Sequence, residues 1–454
     1  MDIRRVKRPK LLFSISLSAF GGGVNSVAVK NGIVAAAVEA DVKQDNGSVV
    51  LFDTNGNFLN QLAVGALPDM LTFSTDGKTL MVANEGEPND DYTNDPEGSV
   101  SIIRIHGKAT SLTQSDVTQV TFDQFNPGNI DPNIRIYGPN ATVAQDLEPE
   151  YIAIAKDNKT AWVSLQENNA FAIIDIQSAT VSQLVSLGTK NHNVIQNALD
   201  ASNKDDKINL QPWPVQGFYM PDSIASYRYQ GKNFVVSANE GDSRDYEGFS
   251  EEKRIGKLTL DAAKFPNAAE LQLDENLGRL KSTTANGDSD GDGDIDTLFS
   301  YGARSFSIWD ANGKIVFDSG SDFARITAHL LPDNFNSTND ENDSFDNRSD
   351  DKGTEPEALT IGTIRGKAYA FIGLERMGGV MIYNISNPYS PQFVQYINNR
   401  DFSGDPVTNT AKDLGPEGMT FIPENQSPIR APLLIVSNEV SGSTTIYKLS
   451  HRRR

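Results

Sequence analysis

The chain has 454 residues, with 40 basic and 60 acidic side chains and a formal net charge of −20 at pH 7. This excess of acid disfavours nucleic acids and anionic membrane surfaces as partners, because both are polyanions. The sequence has no cysteine and four histidines, which excludes disulfides and thiolate metal sites and disfavours a histidine-rich zinc site. Any metal is therefore expected on oxygen ligands.

The first twenty residues combine a basic start with a short apolar run, as a signal peptide does. Phe13, Ile15, Leu17 and Ala19 alternate with more polar residues, however, and this alternation favours a half-buried strand. We expect this strand to pair with residues 442–449 and so to close the fold. The chain has no run of 18 apolar residues, so we expect no transmembrane helix.

One pattern recurs along the chain. A proline-acid pair opens an alternating strand, a second apolar strand ends in glutamate, and a glycine-led third strand follows a loop. The fullest copy spans residues 67–105, and further copies begin near residues 24, 148, 220, 355 and 415. Residues 83–105 and 238–260 match without a gap. Period-2 runs bounded by turn residues are strands, and repeats of this length are typical of β-propellers.

We therefore predict an all-β fold, a single β-propeller domain over residues 1–454. The expected insertions lie at about residues 188–219, 261–296 and 328–353, and helical periodicity is almost confined to residues 261–273. Residues 254–260 and 278–284 are interpreted as the third and outer strands of blade four. Residues 297–320 have room for a blade of their own, which gives seven blades. If they extend blade four instead, the count is six.

The repeat places two acids of each blade at one end of its inner hairpin, because one acid begins a strand and the other ends its antiparallel neighbour. With the first strand innermost, as in propellers generally, these carboxylates crowd the mouth of one central channel. Carboxylates so close raise each other's pKa or require a cation, and Ca²⁺ suits oxygen ligands. The alternative is that each acid caps backbone amides of the next blade. The acids are Asp69, Glu85, Glu150, Glu167, Asp222, Glu240, Glu357, Glu375, Glu417, Glu439 and, from the degenerate first copy, Glu39.

Cationic side chains are interleaved with these acids, among them Arg254, Arg348 and Lys352. Arginine forks beside metal-bound carboxylates would suit a phosphate or carboxylate ligand, whereas charge pairing at a loop-rich surface is the alternative. We expect Glu240, Glu357 and Glu417 to reach a shared metal or ligand. The candidate ligand-binding or catalytic residues of this funnel are Glu150, Asp222, Glu240, Arg244, Glu357, Glu375, Arg376, Glu417 and Glu439.

A second candidate site lies in the segment NGDSDGDGDIDT. Its aspartates occupy alternate positions, and two glycines permit a tight wrap, as in a calcium loop. These aspartates are Asp288, Asp290, Asp292, Asp294 and Asp296. Phe299 occupies the twelfth position, where an EF-hand carries glutamate, so a ligand from elsewhere, for example from residues 340–346, must complete the shell. A disordered acidic linker is the alternative.

Five segments together carry a resemblance: residues 238–255, 278–280, 287–310, 345–362 and 414–423. They resemble the choice-of-anchor I family and are similar to mesenchyme-specific cell-surface glycoproteins linked with biomineralisation. The resemblance covers nearly the whole chain and implies calcium and an extracellular, cell-surface or periplasmic location. Bacterial members of the family are often labelled alkaline phosphatase or phytase-like esterase.

Two functional hypotheses follow. The first is a monomeric calcium-binding propeller that acts as a surface-binding or mineral-associated module, with a small anionic ligand, a phosphate ester or a mineral surface as partner. The second is a metal-dependent phosphoesterase, in which a second divalent metal occupies the funnel and Arg244 or Arg376 steadies the phosphoryl oxygens. Ser243 has no histidine near it in sequence, so this hypothesis lacks a recognisable nucleophile constellation.

Overall fold

The computed structural model describes residues 1–450 and shows an all-β protein with eight small sheets and few helices. Six of the sheets, named I to VI here, are antiparallel meanders in which strands pair with their neighbours in order. The first three sheets are built from consecutive strands. Sheet I contains β1 (Val24–Lys30), β2 (Ile33–Val38), β3 (Asn46–Asp53) and β4 (Phe58–Ala66); sheet II contains β5 (Pro68–Phe73), β6 (Thr79–Asn84), β7 (Ser99–Arg104) and β8 (Val117–Thr121); sheet III contains β9 (Pro149–Ile154), β10 (Thr160–Leu165), β11 (Ala170–Asp175) and β12 (Thr180–Ser186).

The next part of the chain is less regular, because sheet IV is interrupted between its second and third strands. Its strands are β13 (Thr189–Asn191), β14 (Val215–Phe218), β15 (Ile224–Tyr229), β16 (Lys232–Asn239), β17 (Glu252–Arg254), β18 (Lys281–Thr283), β19 (Leu298–Ser300), β20 (Ser305–Asp310) and β21 (Ile315–Asp318). Sheet IV has the order β15-β16-β20-β21, while β13-β14-β19 and β17-β18 form two separate small sheets.

The last two meanders follow a polar loop. Sheet V contains β22 (Pro356–Ile364), β23 (Lys367–Leu374), β24 (Val380–Asn384) and β25 (Gln392–Ile397), and sheet VI contains β26 (Pro416–Ile422), β27 (Leu433–Asn438) and β28 (Ser443–Lys448). The α-helices are α1 (Val143–Asp146), α2 (Ala268–Leu271) and α3 (Asp322–Leu330). Helix α2 lies where the sequence indicated helical periodicity, whereas α3 was not expected.

The six meanders pack face to face in chain order. Their first strands contact one another in succession, β1 with β5, β5 with β9, β9 with β15, β15 with β22 and β22 with β26. An apolar layer lies between each successive pair of sheets. The alternating apolar residues of each strand supply one layer on each side, as a period of two requires. The arrangement is propeller-like, with the first strands innermost.

The predicted closing strand is wrong. Residues 11–17 have no regular secondary structure, and sheet VI has three strands, none of them from the amino end. Leu17 and Phe20 instead pack on the face of sheet I that sheet II does not cover, against Val38 and Phe52. Alternation therefore identified residues that touch a sheet, but they do so as an irregular segment.

The predicted strands of blade four are also corrected. Residues 254–260 and 278–284 do not join sheet IV, because β17 pairs with β18 in a separate sheet. The third strand of sheet IV is β20, which pairs with β16 along its whole length. Residues 297–320 therefore complete sheet IV rather than forming a separate blade, and the expected count of seven is not confirmed.

The first two insertions fold together beside the meanders. Their apolar side chains form one satellite core that includes Leu199, Trp213, Leu271 and Leu280. The third insertion is tied to this core by charge, since Asp350 accepts from Arg254 at 2.8 Å and from Arg279 at 3.2 Å. The insertions thus make one compact structure at the side of sheet IV.

Candidate functional site

The strand register places the repeated acids at one end of each meander. The proline of the first strand lies opposite the residue that precedes the glutamate of the second strand: Pro68 faces Asn84, Pro356 faces Leu374, and Pro416 faces Asn438. The register is irregular at the acid itself in sheets II, III, V and VI. A β-bulge re-aims a side chain, so these irregularities turn the acids out of strict alternation.

A left-handed residue precedes the proline in four of the repeats. These residues are Leu67 (φ 46°), Met220 (φ 43°), Glu355 (φ 49°) and Gly415 (φ 69°). In three repeats its carbonyl accepts from the backbone N–H of the second-strand glutamate, at 2.7 to 2.8 Å, and in the Met220 repeat from the N–H of Gly241 at 3.1 Å. This turn fixes the two acids of a repeat side by side. We name the resulting set of repeated acids the acidic mouth.

The structure brings the predicted acids of sheets IV and V into direct proximity. Asp222, Glu240 and Glu357 offer carboxylate oxygens that all lie within 4.8 Å of one another. Glu240 belongs to a second group of the same kind with Glu355 and Glu375. Two oxygens on one Ca²⁺ are separated by at most about 4.6 to 5.2 Å, twice the usual Ca–O distance. The spacing of the oxygens in each group is therefore compatible with binding of one hard cation.

Electrostatic repulsion links acids from sheets II, IV and VI. Burial, with repulsion from Glu240, Asp69 and Glu417, raises the pKa of Asp222 well above its ordinary value. Burial, with repulsion from Glu87 and Glu417, raises the pKa of Asp69 to about 7. Glu417 thus lies near the others, although it belongs to neither close group of oxygens.

Three further mouth acids behave in the same way. Burial, reinforced by Glu167, Glu85 and Asp222, raises the pKa of Glu150 well above its ordinary value. Burial, with Glu355 as the nearest repelling charge, raises the pKa of Glu375 to about 9. Burial also raises the pKa of Glu439.

Several of these carboxylates have a buried oxygen that receives no hydrogen bond. The atoms are Oε2 of Glu150, Oε2 of Glu167, Oε2 of Glu357 and Oε1 of Glu148. A buried acceptor without a donor is costly, and a buried charge without a partner is more so. A proton, a cation or a buried water molecule would satisfy each such oxygen.

Three cationic side chains surround Glu355, whose side chain is fully buried. Arg376 donates to its Oε2 at 2.7 Å, Arg348 pairs with its Oε1, and Lys352 donates to the neighbouring Glu240 at 2.6 Å. Although burial acts in the opposite direction, these cations lower the pKa of Glu355 to about 2. The pKa of Glu355 is therefore lowered, whereas burial raises the pKa values of its neighbours Glu240 and Glu375.

These cations line a polar cavity of about 260 Å³ beside the close acid groups. Ser243 opens into the same cavity and donates to Oε1 of Glu252 at 2.7 Å. The cations on the wall of this cavity suit a small anion, and the neighbouring carboxylate groups suit a metal ion that the anion could also contact. The lining residues are Asp242, Ser243, Glu252, Lys281, Tyr301, Arg348, Asp351, Lys352 and Arg376.

Arg244 lies away from this cavity. Its guanidinium is 1% exposed, pairs with Asp146, contacts Glu148 at 2.9 Å and stacks on Tyr137 at 4.5 Å. Both ends of its fork are thus occupied by acids of the chain. This geometry makes Arg244 a support for the carboxylates of sheet III.

Sequence reasoning missed Glu148 and Glu355, which precede the prolines of two repeats and join the acid clusters. A signal was present, since both lie in the triplet Glu-Pro-Glu. It also missed Asp146, which binds Arg244 from outside any repeat. Nothing in the local sequence marks that residue.

The aspartate loop is folded back on itself. Backbone N–H groups of Gly291 and Gly293 donate to Asp288 at 2.7 and 3.0 Å. Asp288, Asp290 and Asp296 bring oxygens within 4.8 Å of one another, and Asp296 shares a second such group with Asp294 and Asp261.

The carboxylate from outside the loop that lies against it is therefore Asp261 rather than one from the 340–346 segment. A parallel bridge between Leu260 and Ile295 places Asp261 against the loop. Asp346 lies instead with Asp200 and Asp205. Asp292 belongs to neither group in the loop.

In the part of the chain that the structure describes, no helix has the length and apolar character needed to cross a membrane. The histidines within residues 1–450 do not line the polar cavity, and His451 lies outside the described residues.

Comparison with known proteins gives a family match and two curated relatives. The model of the choice-of-anchor I domain matches residues 1–388. Gigasin-3a of Magallana gigas is 30% identical over 192 residues, which cover 39% of this chain and 66% of that protein. The mesenchyme-specific cell surface glycoprotein of Strongylocentrotus purpuratus is 26% identical over 324 residues, covering 61% of this chain and 41% of that protein. The chain thus spans less than two thirds of each relative's length.

Among solved structures, hydrazine synthase of Kuenenia stuttgartiensis aligns with a TM-score of 0.45 at 13% identity, over 94% of this chain and 84% of that one. The β-propeller domain of Myceliophteria thermophila Cps50 (Swd1) aligns with a TM-score of 0.33 at 9% identity, over 97% of this chain and 100% of that one. Both scores are low, so the description of the fold rests on the sheets themselves.

Proposed function

Because this chain belongs to the choice-of-anchor I family, we propose that it is an extracellular or cell-surface module that binds Ca²⁺ and, through it, a small anionic ligand or mineral surface. In this proposal the six meanders are the blades of one propeller. The observation that carries the proposal is the pair of close carboxylate groups that share Glu240. The location is supported by the family and by the cell-surface glycoprotein relative.

A hard cation suits the acidic mouth better than protons alone. Glu240 can contribute to both groups, and Glu357, whose Oε2 has no donor within the protein, belongs to one of them. Ca²⁺ takes six to eight oxygen ligands in flexible geometry, and extracellular modules bind it with Kd values of about 10⁻⁴ to 10⁻³ M. Carboxylates from two sheets supply part of such a shell, and water or an anion supplies the rest.

The anionic ligand is proposed for the polar cavity. Arg376 has a side chain that is 29% exposed and points one face at Glu355, while Lys352 and Arg348 stand beside it. A phosphate or carboxylate in the cavity would complete the charge balance of a bound Ca²⁺. Mineral surfaces that contain calcium and phosphate present the same two chemistries.

Calorimetric titration of EDTA-treated protein with Ca²⁺ tests the proposal. Glu240→Gln removes one charge from both groups, so we expect it to weaken or remove the Ca²⁺ binding of the acidic mouth and so to lower the number of ions bound per chain. Glu424→Gln is the matched control, since Glu424 is an exposed glutamate of the loop after β26. Equal Ca²⁺ binding by wild type and Glu240→Gln would refute the mouth as a calcium site.

A metal-dependent phosphoesterase is the second candidate, because Ser243 shares the polar cavity with Arg348, Lys352 and Arg376. In this case the cations would orient the phosphoryl oxygens, and a bound metal would add positive charge near them. Hydrolysis of p-nitrophenyl phosphate with Ca²⁺, Mg²⁺, Mn²⁺ or Zn²⁺ tests it. Activity that Ser243→Ala and Arg376→Gln both remove would support catalysis, and no activity with any of the four metals would reject it.

A further inference from the structure

A third acid cluster lies outside the acidic mouth and the aspartate loop. Asp200 and Asp205 belong to the first insertion, and Asp346 belongs to the third. Their carboxylates bring oxygens within 4.8 Å of one another. About 140 residues of chain separate the two sides, so tertiary structure alone makes the cluster.

Asp205 is the informative member. Its side chain is 2% exposed, and neither of its carboxylate oxygens receives a hydrogen bond. Its nearest cation is Lys207, whose Nζ lies 3.9 Å from Oδ2 and whose side chain is 62% exposed. A lysine so exposed at that distance offers little compensation for a buried charge.

The other two carboxylates are also poorly compensated. Asp346 is 2% exposed, and its Oδ1 accepts from Ser349 while its Oδ2 has no donor. Asp200 is 1% exposed and accepts from two backbone N–H groups. The guanidinium of Arg304 donates to the backbone carbonyl of Asp200 at 2.7 Å rather than to its carboxylate.

We propose that Asp200, Asp205 and Asp346 bind a structural divalent cation of the Ca²⁺ class that fastens the third insertion to the first. Three oxygens within 4.8 Å of one another fit around one hard cation, and carboxylate ligands select such ions over soft metals. The cation would satisfy three oxygens that have no donor, two on Asp205 and one on Asp346. It would stand at the junction already bridged by Asp350 with Arg254 and Arg279.

The rival explanation is a proton. Burial, with repulsion from Asp200, raises the pKa of Asp346 to about 8, so a neutral Asp346 would relieve part of the charge without a metal. A protonated Asp346 leaves both oxygens of Asp205 without a donor unless its hydroxyl turns toward one of them. The two explanations differ in what Ca²⁺ does to the protein.

The first measurement is the number of Ca²⁺ ions bound per chain, by equilibrium dialysis and elemental analysis of full-length protein. We expect Asp205→Asn and Asp346→Asn each to lower this number by one. Asp206→Asn is the matched control, because Asp206 is the exposed neighbour of Asp205, and it should bind as the wild type does. Unchanged binding in both cluster variants would overturn the proposal.

The second measurement needs no variant of the cluster. Lys204 and Lys207 are exposed residues in the segment that carries Asp205, so trypsin can report on its opening. At free Ca²⁺ about ten times Kd, the open population should fall about tenfold relative to EDTA, and cleavage there should slow equally. Glu357→Gln should keep this protection, since it alters only the acidic mouth. Cleavage that is insensitive to Ca²⁺ would favour the proton and refute the cation.

Discussion

Replacing Glu357 by glutamine tests whether the acidic mouth is a binding site or a set of structural caps. The substitution keeps the shape of the side chain and removes one charge from the group that it forms with Asp222 and Glu240. Two like charges at 4.8 Å, the outer limit of the separations in this group, repel by about 3.5 kcal/mol at an effective dielectric constant of about 20. Protonation already relieves part of this repulsion. The free energy of unfolding in EDTA should therefore rise by between about 0 and 3.5 kcal/mol.

The expected change in melting temperature follows from the size of the chain. An unfolding entropy of about 2.1 cal/mol/K per residue gives about 1 kcal/mol/K here, so each kcal/mol moves Tm by about 1 °C. Ca²⁺ at a hundred times the Kd of the acidic mouth should add about 3 °C to the wild-type Tm through that site. If Glu357→Gln weakens binding there about a hundredfold, this contribution should fall below about 1 °C, and the contributions of the other proposed sites should stay.

Differential scanning calorimetry with and without Ca²⁺ measures both effects. Glu424→Gln, which alters an exposed glutamate, should behave as the wild type does. Leu359→Ala is a contrasting control on the same strand, because Leu359 is 5% exposed and its truncation should cost about 2 to 5 kcal/mol in both conditions. If Glu357→Gln melts low in both conditions, as Leu359→Ala does, the acid is a structural cap and the reasoning fails.

Three further predictions follow from the same geometry. In EDTA, Tm should fall as pH rises from about 4.5 to about 9. In the folded protein the pKa values of Asp69, Glu167 and Glu375 are raised to about 7, 8 and 9, so these groups hold protons that the unfolded chain has lost. Each retained proton changes the free energy of unfolding by about 1.4 kcal/mol per pH unit, and a flat or rising calorimetric profile would contradict this. Asp296→Asn, which alters both oxygen groups of the aspartate loop, should lower the number of Ca²⁺ ions bound in equilibrium dialysis, whereas Asp292→Asn should not, and equal losses would argue for a non-specific acidic segment. Arg376→Gln should weaken binding of inorganic phosphate in the presence of Ca²⁺ by at least about tenfold in calorimetry, while Arg228→Gln on the exposed part of β15 should leave it unchanged; equal affinities would remove Arg376 from the anion site.

Most of the meander strands and the placement of the acids were predictable from the sequence. Period-2 alternation and turn residues predict the strands of sheets I, II, III, V and VI, because these signals are local properties of the chain. The shared end of the two acids follows from antiparallel pairing, and the register of Pro356 against Leu374 confirms it. These features need no information from distant residues.

Sheet IV shows where local pattern is insufficient. Residues 238–260 match residues 83–105 without a gap, yet only the first part of each copy has the same structure. The partner of β16 is β20, which buries Phe306, Ile308 and Trp309. Burial of these large side chains decides the pairing, and it outweighs any propensity of the nearer residues.

The acid clusters were predictable only in part, for the same reason. Asp222, Glu240 and Glu357 follow from the repeat, whereas Asp346 reaches Asp200 through the fold of two insertions. The alternation of residues 13–19 likewise marked Leu17, which packs on sheet I, but Phe13 and Ile15 are exposed. Hydrogen bonding to another strand depends on where the two ends of the chain lie.

The left-handed residue before the proline in four of the repeats has a consequence for how this surface can change. Leucine, methionine, glutamate and glycine all occupy that position, so it is the backbone turn, and not any one side chain, that aims the following acid. In these repeats the backbone conformation of the turn is therefore independent of which side chain follows the proline. Substituting the acid in one of these four repeats would alter charge and ligand preference while leaving the turn that presents it intact.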